Sequence, residues 1–119
     1  MAWRQSREAL MNYQKVARTS DFTSTNKKKV SWNGLEILLT KIQGTYYAVD
    51  NTCTHMGGSL YDGKLEGNQV ICPRHGSVYD ATTGKVVQRG KLFTIKVKVH
   101  DLHHYPLKVE GTDILIGIG

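Results

Sequence analysis

Two short segments of this chain carry side chains that could hold a metal centre between them: Cys53-Thr54-His55-Met56-Gly57-Gly58 and Cys72-Pro73-Arg74-His75-Gly76-Ser77. Each offers one thiolate and one imidazole, as Cys-x-His and Cys-x-x-His, with sixteen residues between His55 and Cys72. Both donor types suit iron or zinc, and neighbouring glycines let backbone come close to a metal. Other chemistries use the same residues. A structural zinc site takes these donors, although zinc fingers usually pair Cys with Cys and His with His along the chain. A Cys53–Cys72 disulfide would leave both histidines and the glycines without a role. Nucleophilic catalysis needs one thiol and one base, whereas here the pattern is duplicated.

Loops that present such ligands need a rigid base, and the rest of the sequence reads as one. Tyr13 to Arg18 is a candidate strand, followed by a polar break from Thr19 to Asn26. Lys28 to Trp32 and Leu35 to Ile42 flank Asn33-Gly34, a pair that takes the positive φ angles of a tight hairpin turn. Gln43-Gly44 makes a second turn into Thr45 to Val49, which is rich in aromatic and β-branched residues. Glycines at 57, 58, 63 and 67 break Asp50 to Cys72 into loops, with Val70-Ile71 leading into Cys72. Ser77 to Asp80 and Lys85 to Gln88 flank the turn 81–84. Leu92 to His100 alternates as one strand, with Phe93, Ile95, Val97 and Val99 on one side. Leu107 to Val109 and Ile114 to Ile118 close the chain. Many short strands with glycine turns predict an all-β sandwich or barrel. Residues 1–12 are read as an N-terminal extension, too short for a stable helix, and 13–119 as one domain with metal-binding loops at about 50–80.

The chain has 119 residues and a net charge of +6, of which residues 1–41 carry +5 from eight basic and three acidic side chains. A basic surface suits an acidic partner. No nucleic-acid-binding motif accompanies the charge, and Lys27-Lys28-Lys29 reads as a solvated hairpin tip. No apolar run is long enough for a membrane span, and the N-terminus lacks the apolar core of a secretory signal, so an intracellular, cytoplasmic protein is expected.

The two-loop signature resembles the Rieske motif, in which two cysteines hold one iron of a [2Fe–2S] cluster and two histidines the other. The resemblance runs from about Tyr13 to the C-terminus. It implies a Rieske iron–sulfur domain with a small two-loop cluster-binding subdomain, Cys53, His55, Cys72 and His75 as ligands, and one-electron transfer. Imidazoles add no charge, so the oxidised centre is neutral and easier to reduce than an all-cysteine one, with the electron on the histidine-bound iron. Rieske proteins of cytochrome bc complexes carry a further cysteine in each loop, joined as a disulfide; here those places hold Gly58 and Arg74. This departure points to the soluble ferredoxin branch. Gly76-Ser77-Val78-Tyr79-Asp80 nevertheless resembles the high-potential subgroup, in which serine and tyrosine hydroxyls donate to cluster sulfur, so Ser77 and Tyr79 are expected to raise the potential. Gly57, Gly58 and Gly76 are expected to aim backbone N–H groups at the sulfides, and Leu60 and Met56 to shield the cluster. His100, His103 and His104 match no ligand place and read as surface residues; Trp3 and Trp32 read as packing residues. The expected partners are a reductase and an acceptor protein, with the chain itself non-catalytic and monomeric in isolation. The alternatives are a small Rieske subunit of a nitrite reductase or ring-hydroxylating oxygenase system, and a zinc-stabilised binding module.

Overall fold

The computed structural model describes residues 12–54, 57–92 and 95–118. Its strands in chain order are β1 (Asn12–Arg18), β2 (Lys27–Trp32), β3 (Leu35–Ile42), β4 (Thr45–Asp50), β5 (Lys64–Glu66), β6 (Gln69–Ile71), β7 (Val78–Asp80), β8 (Val86–Gln88), β9 (Lys91–Leu92), β10 (Ile95–Lys96), β11 (His104–Tyr105), β12 (Leu107–Glu110) and β13 (Asp113–Ile118). Short 3-10 helices occupy Thr19–Phe22 and Leu60–Asp62. Three sheets carry most of the strands, in the orders β1-β13-β12, β11-β4-β3-β2 and β5-β6-β7-β8, and every pairing is antiparallel.

Turn chemistry fixes the middle sheet. Trp32 pairs with Leu35 and Ile42 with Thr45, so each hairpin has a two-residue loop. Asn33 and Gly34 adopt φ of 52° and 78°, and Gln43 and Gly44 adopt 50° and 81°, which matches the right-handed twist of the flanking strands. Alternation along β3 then sends Ile37 and Leu39 to one face and Leu38 to the other. Ile37, Leu39 and Ala48 join Ala17, Phe22, Val30, Ile114 and Ile116 in a base core against the first sheet. Leu38 and Val49 join Cys53, Leu60, Val70, Cys72, Tyr79, Ala81 and Leu102 in a second core. β3 and β4 are thus covered on both faces, which explains why the four consecutive residues Ile37 to Thr40 are all buried. Among the described residues the sheets form open layers and do not close a barrel.

Several expectations need correction. β5 lies where loops were expected, and β11 in a stretch to which no element was assigned, because strands of two or three residues are too short to show a period. Leu92 to His100 is not one strand, since residues 97–100 belong to none, and Phe93 and Thr94 lie outside the described residues. β9 and β10 pair with each other, Ile95 is 72% exposed, and Val97, beyond the end of β10, is buried. The Val97 N–H goes to the Gly90 carbonyl at 2.9 Å instead of to a sheet neighbour. Alternation signals extended backbone but does not name its partner. Nor does the lysine run sit at a hairpin tip: it opens β2, six residues before the Asn33-Gly34 turn. Lys27 Nζ donates to the carbonyls of Tyr61 at 2.6 Å and Gly63 at 2.5 Å, and lies 5.2 Å from the Tyr61 ring centre. This clamp ties the middle sheet to the segment after the first loop. Residues 1–11, including Trp3, lie outside the described residues.

Candidate metal centre

The first loop leaves β4, and the second joins β6 to β7. Asn51, fully buried, pins the first loop at both ends. Its N–H donates to Glu36 O at 3.0 Å, and its carbonyl accepts from Leu60 N at 2.8 Å. The side chain donates from Nδ2 to Ser59 Oγ at 2.9 Å and accepts from Tyr61 N at 2.8 Å. Sequence reasoning missed this residue; a lone asparagine after a strand reads as a turn former.

Each cysteine heads the same hydrogen-bonded ring. Cys53 N–H donates to Gly58 O at 2.8 Å, and Gly57 N–H donates back to Cys53 O at 3.1 Å. In the second loop, Cys72 N–H donates to Ser77 O at 2.8 Å and Gly76 N–H to Cys72 O at 3.1 Å. Gly57 and Gly76 hold the equivalent place with φ of 72° and 79°, the left-handed region that a glycine adopts without strain. Gly58 therefore corresponds to Ser77. This differs from what was expected of Gly57 and Gly76: their N–H groups close their own loops instead of aiming at sulfides.

The loops abut through Gly58. A Cβ there would stand 2.9 Å from Arg74 Cγ and 3.3 Å from Cys72 Sγ. The two positions where the bc-type disulfide would lie are therefore neighbours, bridged here by the stem of an arginine resting on a glycine. Cys53 and Cys72 are buried thiols, not a disulfide. Burial pushes the Cys72 thiol above its ordinary range, and the adjoining Cys53 side chain pushes it further. A metal that replaced both protons would relieve that cost.

Tyr79, fully buried on β7, aims its hydroxyl at this pair, with Oη 3.3 Å from Cys53 Sγ. Burial, with the Cys53 hydrogen bond second, raises its pKa to about 12, so it holds its proton at neutral pH. Once Cys53 is a thiolate, only the phenol can donate. Ser77, also buried, accepts a hydrogen bond from Gly90 N–H at 2.9 Å. His75 is half-buried, with Nδ1 inside. Its carbonyl accepts from Lys91 N–H at 3.0 Å. Leu60, expected to shield the cluster, packs in one core with both cysteines, while His55 and Met56 lie outside the described residues. His100, His103 and His104 are exposed, and Trp32 is half-buried with Nε1 donating to Gln14 at 2.8 Å.

A segment absent from the sequence reading buttresses the second loop. Gly90 approaches it so closely that a Cβ would stand 2.2 Å from His75 O and 2.7 Å from Ser77 N. Only glycine fits such an approach. Among the described residues, no three His, Cys, Asp or Glu gather as around one ion. A binuclear centre asks for less, since its thiols serve one iron and its imidazoles the other. Two adjoining buried thiols and an imidazole nitrogen turned inward are a donor set that fits a [2Fe–2S] cluster.

Layered antiparallel sheets carrying a thiol pair on two matched loops define an iron–sulfur domain. The family model of the Rieske [2Fe-2S] domain matches residues 12–101, and the chain belongs to this family, whose cofactor is a [2Fe–2S] cluster. The ferredoxin component of the naphthalene 1,2-dioxygenase/salicylate 5-hydroxylase systems of Ralstonia sp. is 35% identical, over 88% of this chain and 94% of that one. The ferredoxin component of the naphthalene 1,2-dioxygenase system of Pseudomonas putida is 33% identical, over 83% and 88%. Among solved structures, one chain of a complex of reduced oxygenase and oxidized ferredoxin in carbazole 1,9a-dioxygenase matches with a TM-score of 0.72 and 25% identity, over 87% of this chain and 91% of that one.

Proposed function

We propose that this chain is the ferredoxin of a ring-hydroxylating dioxygenase system, carrying single electrons from a reductase to a terminal oxygenase. Cys53 and Cys72 hold one iron, and His55 and His75 the other. The observation that carries this reading is the pair of adjoining buried thiols on two identically bonded loops, with the Tyr79 hydroxyl 3.3 Å from one sulfur. The cluster, when bound, accepts and returns one electron. The protein's part is to keep its sulfur side dry with Leu60, Val70 and Tyr79, to supply a hydrogen bond that favours the reduced state, and to leave the histidine side near the surface. The chain itself catalyses nothing, and it works in the cytoplasm as a monomer; two buried thiols suit that reducing compartment.

Docking is electrostatic in this reading. Residues 81–100 hold Lys85, Arg89, Lys91, Lys96 and Lys98 with no acidic residue, and all five cations are exposed. The Lys91 N–H and Gly90 N–H bonds place this segment against the His75 loop. An acidic partner surface would meet it there. The test is anaerobic purification followed by iron and sulfide analysis and electron paramagnetic resonance of dithionite-reduced protein. About two irons and two sulfides per chain with a Rieske spectrum are expected. Colourless protein holding zinc would overturn the proposal.

A further inference from the structure

Thr54 stands between two proposed ligands and has no place in the ligation pattern, yet its hydroxyl and its N–H are both engaged. Its Oγ1 accepts from the His100 backbone N–H at 2.8 Å and lies 3.1 Å from both the His100 carbonyl oxygen and Tyr79 Oη. Its own N–H donates to Tyr79 Oη at 3.3 Å. We infer that Thr54 is a positioning residue that turns the Tyr79 proton onto Cys53 Sγ and so takes part in setting the reduction potential. The inference rests on Cys53 being an iron ligand.

The proton count carries the argument. Tyr79 has one proton and two acceptors in reach, Cys53 Sγ and Thr54 Oγ1. Thr54 has one hydroxyl proton and two acceptors, Tyr79 Oη and the His100 carbonyl. If Thr54 gave its proton to His100, its lone pair would compete with the sulfur for the phenol proton. If it gives the proton to Tyr79, the phenol oxygen takes both Thr54 donors and its own proton has only the sulfur left. An iron-bound thiolate is a stronger acceptor than a neutral hydroxyl, so the phenol proton goes to the sulfur; with Thr54 turned to His100, two lone pairs would then face each other across the 3.1 Å Oγ1–Oη contact, which selects the second arrangement. Donation then runs one way, from His100 N–H through Thr54 and Tyr79 to Cys53, and each bond polarises the next. Added negative charge at the sulfur strengthens the chain, so the relay stabilises the reduced state.

The test uses cluster-loaded protein and reads the midpoint potential by titration followed by electron paramagnetic resonance, with iron content checked for each variant. Thr54→Val lowers the potential by less than Tyr79→Phe does, and Thr54→Ser restores it. In the Tyr79→Phe background, Thr54→Val adds nothing, because the threonine acts only through the phenol. His100→Pro, which deletes the first donor and leaves the first loop untouched, shifts the potential the same way and serves if Thr54→Val fails to load. A wild-type potential in both Thr54→Val and His100→Pro, or a Thr54→Val shift that persists beside Tyr79→Phe, overturns the inference. A Cys53→Ser protein that keeps an unaltered cluster refutes instead the ligand assignment beneath it.

Discussion

Replacing Tyr79 with phenylalanine removes one oxygen from a fully buried ring and leaves the packing of the second core in place. The lost contact is the 3.3 Å approach to Cys53 Sγ, a reasonable hydrogen-bond length for sulfur. A hydrogen bond to a charged acceptor contributes about 1.5–3 kcal/mol, and only the part that strengthens on reduction appears in the potential. Taking roughly half of that range gives ~0.8–1.5 kcal/mol in favour of the reduced state. For one electron this converts to a fall of ~35–65 mV in the Tyr79→Phe protein, at 59 mV per tenfold change. Redox titration of both proteins at one pH, with the reduced cluster read by electron paramagnetic resonance, makes the comparison direct. Potentials that agree within ~10 mV, well under the 59 mV of a tenfold change, would show that the phenol does not act on the sulfur, whatever it does for stability.

Other perturbations test other parts of the structure. Gly90→Ala puts a methyl group 2.2 Å from the His75 carbonyl; a loss of about 1–3 kcal/mol and faster cluster release on warming are expected, and wild-type release kinetics would refute the close approach. Lys27→Met deletes two charge-assisted bonds to Tyr61 and Gly63, and urea unfolding should show a loss of about 1–3 kcal/mol, reduced because the site is part-exposed. Tyr105 donates to Asp50 Oδ1 at 2.5 Å, and burial together with that carboxylate raises its pKa above 10.0. An unfolded tyrosine loses its proton near pH 10 while the folded one keeps it, so stability falls as pH rises past about 10. Tyr105→Phe should flatten that alkaline slope, and an unchanged slope would count against it. Lys91→Glu with Lys96→Glu should slow electron transfer to the oxygenase several-fold at low salt and weaken its salt dependence; an unchanged rate would place the docking face elsewhere.

The legibility of this sequence follows the range of the forces involved. Asn33-Gly34 and Gln43-Gly44 announce their hairpins because two adjacent residues contain all the necessary chemistry. The Cys53 and Cys72 loops are legible for the same reason: residue type and spacing are local facts. Tyr79, expected from a resemblance carried by five consecutive residues to donate to cluster sulfur, lies with its hydroxyl 3.3 Å from Cys53 Sγ. Thr54, Asn51, Lys27 and Gly90 escaped because their roles depend on partners distant in sequence. Thr54 meets His100 forty-six residues away, and Lys27 meets Tyr61 thirty-four away. Val97 shows the converse error, since alternation put it inside a strand that ends one residue before it.

The middle sheet gives no face to water where β3 and β4 cross its centre, and this has a consequence for how the molecule comes apart. Leu38 and Val49 form the floor of the cysteine layer, while Ile37, Leu39 and Ala48, their immediate neighbours in the same two strands, form the roof of the base. Neither layer can melt without stripping cover from strands that the other needs, so opening should be cooperative across the whole molecule. Hydrogen exchange in the base strands should therefore slow when the distant iron site is filled.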